Sequence, residues 1–110
     1  MAVRRVAASV KAITGEEIVI GEAELIHAMR HFTLPRDLLL ELIKRVLQKP
    51  TVVLVDNQIE PHEYRLFYRL EDGRYILAVV KVVKDVSYFA SMYPTGKRMR
   101  KLHQRFRRLR

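Results

Sequence analysis

The second half of this 110-residue sequence carries a series of strand patterns separated by tight-turn signals. Residues 51–55 are rich in β-branched side chains. In residues 64–70, Tyr64, Leu66, Tyr68 and Leu70 are predicted to face one way and Arg65, Phe67 and Arg69 the other, which is the two-residue period of a strand. Asp72-Gly73 is a strong signal for a two-residue hairpin, and it leads into a long strand pattern at residues 75–83. Another strand pattern follows at residues 86–93. These segments predict an antiparallel meander of three or four strands.

Two helical patterns precede this meander. Apolar residues recur at helical spacing over residues 22–32 and again over residues 35–48, where Pro50 ends the second pattern. Short strands are also expected within residues 3–20. The sequence therefore predicts an α+β fold in which two N-terminal helices pack on an antiparallel sheet of about four strands, followed by a basic C-terminal helix or tail. The apolar side of the second helix is predicted to consist of Leu38, Leu39, Leu42, Ile43, Val46 and Leu47.

Positive charge is concentrated at the C-terminal end of the chain. The formal net charge is +9, yet residues 1–96 hold 13 basic and 12 acidic side chains. We therefore expect residues 1–96 to form a single domain and residues 97–110 to form a basic tail that attracts nucleic acid. The tail's basic residues are Lys97, Arg98, Arg100, Lys101, Arg105, Arg107, Arg108 and Arg110, and its apolar stripe at helical spacing consists of Met99, Leu102, Phe106 and Leu109.

Several classes of protein are excluded by what the sequence lacks. There is no cysteine, which excludes disulfides, thiolate metal sites and a cysteine nucleophile. No segment approaches the roughly 18 apolar residues of a membrane helix, and no signal sequence is recognisable, so a cytoplasmic protein without a membrane partner is expected. Glycine loops of the ATPase and dehydrogenase kinds and the nucleophile elbow of hydrolases are also missing.

A pair of histidines is the first candidate for chemistry. His27 and His31 are four residues apart in the first helical pattern, so their side chains are expected on the same side of the helix. Imidazole exchanges protons near neutral pH, and one such group can act as base while another acts as acid. This is the requirement for cleaving RNA without a metal. The alternative is that the two histidines are ordinary surface residues.

The same histidine spacing also fits half of a zinc site. The glutamate that follows the first histidine in the zinc protease motif is replaced here by Ala28. We expect neither a metal nor another cofactor, because nothing in the sequence fixes the geometry of a third ligand. The candidates for that ligand are Asp56, His62, Glu63 and His103.

Phosphate-binding side chains are predicted in the strands. Arg65 and Arg69 share one face of the 64–70 strand, where a guanidinium group suits two phosphate oxygens at once, and Lys81 extends the basic set. Ser91 and Tyr93, near the end of the last strand pattern, supply hydroxyl groups that bond phosphate or orient a histidine. For the basic residues, the alternative is an ordinary solvated strand face. For Ser91 and Tyr93, the alternative is an ordinary exit from a strand.

Taken in order, these motifs resemble the small phage- and mobile-element-associated nucleases of the barnase, EndoU, colicin and RelE-like superfamily. The motifs are His27-Ala-Met-Arg-His31 in the first helix, a second helix ending at Pro50, and the strands at residues 64–68 and 75–81. A final Ser91-Met-Tyr-Pro94 element completes the pattern, which spans residues 18–97. The resemblance implies two helices followed by a four-stranded antiparallel sheet.

The resemblance also implies a function and a site. The function is that of a metal-independent endoribonuclease, often toxin-like, with His27 and His31 as acid–base residues. Arg65 or Arg69 would stabilise the phosphate, and Ser91 with Tyr93 would complete the site. We therefore predict a hydrolase that cleaves RNA, rather than DNA, and forms 2′,3′-cyclic phosphate ends. The alternatives are a non-catalytic RNA- or DNA-binding module and a toxin-like interaction protein bound by an acidic protein partner.

Residues predicted to bind nucleic acid outside the catalytic set are Lys81, Lys97, Arg98, Arg100, Lys101, Arg105, Arg107 and Arg108.

Overall fold

The protein forms a sheet flanked by two helices, as seen in a computed structural model that describes residues 5–56, 63–95 and 107–108, with the backbone alone at 56 and 107–108. The elements within these ranges are β1 (Val6–Lys11), β2 (Glu17–Gly21), α1 (Glu22–Met29), α2 (Arg36–Gln48), β3 (Val52–Asp56), β4 (Glu63–Glu71), β5 (Arg74–Val83), β6 (Val86–Thr95) and β7 (Arg107–Arg108). In the same ranges, no helix has the length and apolar character needed to cross a membrane.

The strands make one mixed sheet in the order β1-β2-β6-β5-β4-β3-β7. β3 to β6 form the predicted antiparallel meander, but β2 runs parallel to β6, with Ile18 opposite Ser87 and Val19 opposite Tyr88. The predicted fold of two N-terminal helices on an antiparallel sheet of about four strands is therefore wrong. Strands come first in the chain and join the same sheet, because Ile18 and Ile20 become fully buried there.

A short strand replaces helix in the described part of the basic tail. Arg107 and Arg108 pair antiparallel with β3, opposite Val55 and Leu54 respectively. This pairing satisfies backbone groups on β3 that an edge strand leaves exposed, so a C-terminal helix is wrong at these two positions. The predicted apolar stripe of Met99, Leu102, Phe106 and Leu109 lies outside the described residues.

The main core lies between α2 and one face of the sheet. The buried side of α2 consists of Leu39, Leu42, Ile43, Val46 and Leu47. Leu38, which was predicted to belong to this side, points to solvent and is 55% exposed. Phe67 of β4 belongs to this core, whereas Leu66 and Tyr68 pack in a second cluster on the opposite face. The predicted alternation along β4 is therefore confirmed.

Helix α1 lies beside the second half of β6. It follows β2 directly at Gly21 and contacts β6, with Leu25 and Ala28 buried in the main core. Glu22 in its first turn binds Arg36 at the start of α2 through two hydrogen bonds. The pairing of β5 and β6 shifts between Val79 and Val80, which marks a β-bulge at the level where α1 replaces β2 as the neighbour of β6.

Candidate active site

The two histidines lie together at the C-terminal end of α1. The backbone N–H of His31 donates to the carbonyl of Ala28 at 3.0 Å, so the chain keeps turning past the end of the helix. The imidazole centroids of His27 and His31 are 5.7 Å apart, with the rings edge-on at 76°. Both residues are exposed. The predicted same-side arrangement is confirmed, and two proton-exchanging groups are within reach of a single ligand.

Tyr93 of β6 joins this pair from the sheet. Its ring centroid is 6.0 Å from that of His31, and the side chain is 36% exposed. Tyr93 is opposite Leu77 of β5, and Ser91 is opposite Val79, so both lie on the sheet face away from α2. The structure therefore brings together His27, His31 and Tyr93, with Ser91 two residues away on the same strand face.

The two strand arginines are held elsewhere. Arg65 and Arg69 alternate with Phe67 along β4 and share the α2 face of the sheet, two strands away from β6. The Nε atom of Arg69 donates to Glu71 at 3.4 Å, and its Nη1 atom donates to the carbonyl of Lys49 at 2.5 Å. Among the described residues, neither guanidinium contacts a histidine.

Arg65 is the centre of an ion-pair cluster with carboxylates. Its Nε atom donates to Glu16 at 2.8 Å and its Nη1 atom to Glu63 at 2.8 Å, while the hydroxyl of Ser87 donates to Glu16 at 3.1 Å. Burial on its own would raise the pKa of Glu16. The hydrogen bonds from Arg65, Thr14 and Ser87 outweigh burial and hold that pKa below its ordinary value of 4.5.

Replacing Glu16 with glutamine should lower the free energy of unfolding by about 1–2 kcal/mol at pH 7. The folded-state pKa of Glu16 is lowered, so its contribution is present above the unfolded pKa and is lost as the pH falls through the folded pKa. Urea unfolding at pH 7 and at pH 3 should therefore show a difference from wild type that shrinks in acid. Glu17→Gln, an exposed neighbour, is the control, and a constant difference at both pH values would contradict the assignment.

The sheet face that carries Tyr93 also carries every tyrosine of the chain. Tyr64, Lys81 and Tyr88 form one row across β4, β5 and β6. Tyr68 packs edge-on against Tyr75, with ring centroids 6.4 Å apart. Burial, with a smaller contribution from Tyr93, raises the pKa of Tyr68 to about 12. We call this surface the tyrosine face; its tyrosines are Tyr64, Tyr68, Tyr75, Tyr88 and Tyr93.

The tyrosine face was not predicted from the sequence. The alternation of residues 64–70 places Tyr64 and Tyr68 on one side, but the tyrosines of β5 and β6 can be added only when the register between the strands is known. Phe67 and Phe89 are buried on the other face. The sheet therefore carries its tyrosines on one face and these two buried phenylalanines on the other.

Some of the remaining predicted residues are described by the structure, and the others lie outside the described ranges. Lys81 lies on the tyrosine face, so the expectation that it joins Arg65 and Arg69 on one strand face is wrong. Glu63 is bound to Arg65. Within the described ranges, no group of three or more metal-binding side chains is close enough to hold an ion. The residues of the predicted sets that lie outside the described ranges are His62, Lys97, Arg98, Arg100, Lys101, His103, Arg105 and Arg110.

A family model for phage-Barnase-EndoU-ColicinE5/D-RelE like nuclease 2 matches residues 3–110. The chain belongs to this nuclease family, and the resemblance drawn from the motif order is confirmed. No curated protein and no solved structure gives a significant match. Membership in the family implies a nucleic acid as substrate.

Proposed function

We propose that this nuclease is an endoribonuclease that works without a metal ion, with His27 and His31 as its acid and base. The observation that carries the proposal is the exposed group of His27, His31 and Tyr93, with centroids 5.7 and 6.0 Å apart. One imidazole takes the proton of the ribose 2′-hydroxyl, whose oxygen attacks the adjacent phosphorus. The other imidazole protonates the departing 5′-oxygen. The products are a 2′,3′-cyclic phosphate and a free 5′-hydroxyl.

In this mechanism, hydrogen-bond donors must stabilise the negative charge on the phosphate. The hydroxyl groups of Tyr93 and Ser91 lie on the strand face next to His31, where they can donate to non-bridging oxygens. Lys81 adds positive charge on the same face. Arg65 and Arg69 already donate to carboxylates and a carbonyl, so the proposal assigns the phosphate to Ser91 and Tyr93.

RNA is favoured over DNA for two reasons. The attacking group is the 2′-hydroxyl, which DNA lacks. Tyr68 is buried, but the other tyrosines of the tyrosine face are at least partly exposed and offer rings on which unpaired bases can stack, the usual way proteins hold single-stranded RNA. Residues 1–96 are almost neutral. The basic residues from Lys97 onward strengthen the attraction for a polyanion.

The test is cleavage of a labelled single-stranded RNA in the presence of EDTA. We expect the purified wild-type protein to release fragments with 2′,3′-cyclic phosphate ends, and the His27→Ala/His31→Ala double variant to release none. Ile26→Ala, at a residue 56% exposed on the same helix, is the control and should cleave normally. Equal cleavage by both proteins would refute catalysis by the histidines. Binding without cleavage by wild type would instead indicate a non-catalytic RNA-binding module.

A further inference from the structure

A polar cluster joins the start of β2 to two strands of the meander. Glu16, the residue before β2, accepts hydrogen bonds from Arg65 of β4 at 2.8 Å and from the Ser87 hydroxyl of β6 at 3.1 Å. The Arg65 and Glu16 side chains are only 17% and 23% exposed, so solvent screens their attraction weakly. Glu63 accepts from the Nη1 atom of Arg65 and fixes the direction of the guanidinium. The cluster therefore holds Glu16 at one position along β6.

Apolar packing alone leaves the position of β2 along β6 undetermined. Ile18 and Ile20 are fully buried in the main core, and the described pairing of β2 with β6 extends over two residue pairs. A slip of one residue would turn both isoleucines away from the core, but a slip of two residues, about 7 Å, would keep the same faces buried. Only the slip of two residues is therefore left for polar groups to prevent. It would separate Glu16 from Arg65 and Ser87 and leave partly buried polar groups without these partners.

The position of β2 sets the level of the histidines, because α1 follows β2 without an intervening loop. From Ile18, three steps of strand and six steps of helix lead to His27, a path of about 19 Å. From Ser87, which is opposite Ile18, six steps of strand lead to Tyr93, a path of about 20 Å. The two paths are nearly equal, so a slip of β2 along β6 is carried directly into the candidate active site.

We propose that Glu16, Arg65 and Ser87 are positioning residues, which hold β2 in one register on β6 and thereby align the histidine pair with Tyr93. The catalytic role of the aligned residues rests on the proposed function, whereas the alignment of α1 with β6 does not. Arg65 then acts through Glu16 and not on the phosphate. The two roles predict opposite results for Glu16→Gln. This change would free Arg65 to bind RNA more tightly if phosphate were its target, but it lowers the cleavage rate if the carboxylate sets the register.

Pulsed electron paramagnetic resonance measures the alignment without any RNA. The chain has no cysteine, so Ile26→Cys on α1 and Leu70→Cys on β4, both at exposed positions, carry two spin labels at defined sites. We expect one narrow label-to-label distance in the otherwise unchanged protein. Glu16→Gln and Arg65→Met should each add a second distance, displaced by up to about 7 Å. Arg65→Lys keeps the positive charge and should keep most molecules at the first distance.

Glu71→Gln is the matched control. Glu71 is also a carboxylate bonded by two arginines, Arg45 and Arg69, but it joins α2 to β4 and has no bond to β2. Its replacement should leave the label-to-label distance unchanged. In proteins without labels, single-turnover cleavage should fall about 10- to 100-fold in Glu16→Gln and Arg65→Met. Affinity for 2′-O-methyl RNA, which lacks the free 2′-hydroxyl and cannot be cut, should change less than about threefold.

Three results would overturn the proposal. One is a single unchanged distance in both Glu16→Gln and Arg65→Met while circular dichroism shows them folded, which would leave the cluster as a stabilising ion pair alone. Another is a displaced distance in Glu71→Gln as well, and the third is tighter RNA binding by Glu16→Gln. If Arg65→Met does not fold, Ser87→Ala replaces it, because that change removes one hydrogen bond and no charge. A displaced distance in Glu16→Gln, together with no cleavage by wild type, would support the register and refute the proposed function.

Discussion

The His31→Ala variant is expected to cleave RNA about 10²–10⁴-fold more slowly than wild type while its RNA affinity changes less than about threefold. His31 is the histidine that meets the sheet, with Tyr93 6.0 Å away and His27 5.7 Å away. Its loss removes one of the two proposed proton-transfer groups but no buried contact, because the side chain is exposed. The rate of a single turnover and the binding of 2′-O-methyl RNA measure the two effects separately.

A substrate with a different leaving group tests which histidine is the general acid and which is the general base. A nucleoside 3′-(4-nitrophenyl phosphate) releases a phenolate that needs no proton. The variant that lacks the general acid should therefore recover most of its rate on this substrate, and the variant that lacks the general base should not. His27→Ala and His31→Ala are expected to respond oppositely. Equal recovery by both, or by neither, would contradict a division into one acid and one base.

The Phe67→Ala variant should lose about 3–5 kcal/mol of unfolding free energy. Phe67 is 0% exposed at the centre of β4, in the core that α2 covers. Its removal leaves a cavity that the paired strands on either side cannot close. Domains have about 5–15 kcal/mol of total stability, so the variant should be near its unfolding transition at modest denaturant concentration.

Chemical denaturation followed by circular dichroism measures this loss. Leu70→Ala is the matched control, because Leu70 lies on the same strand and is 47% exposed. It should cost less than about 1 kcal/mol. A similar loss in the two variants would show that the α2 side of β4 is not the main core.

The local part of the fold was predictable from the sequence. The turn at Asp72-Gly73 connects β4 and β5, with φ of 49° and 79° at its two positions, and such paired positive angles are what Asp-Gly signals. The side-by-side placement of His27 and His31 follows from helical spacing together with the turn that continues the chain past the end of α1 at Met29. Both features depend on residues close in sequence, for which periodicity and turn chemistry are sufficient.

The long-range part was not predictable in this way. The parallel pairing of β2 with β6 joins residues 69 apart, as in Ile18 with Ser87, and no local pattern specifies it. No local pattern specifies the ion pair between Arg65 and Glu16 either. From the sequence alone, Arg65 is predicted to be a phosphate-binding residue on a solvated strand.

The contact between His31 and Tyr93 has a consequence for the time at which the proposed activity can arise during synthesis. The two residues are 62 positions apart in the chain, and the strand that carries Tyr93 is held between β5 and β2. A nascent chain that has emerged only as far as α2 has both imidazoles but lacks the strand that aligns them. Folding dominated by such distant pairings is slow compared with helix formation. The ribosome therefore finishes most of this chain before a complete site exists near its own RNA.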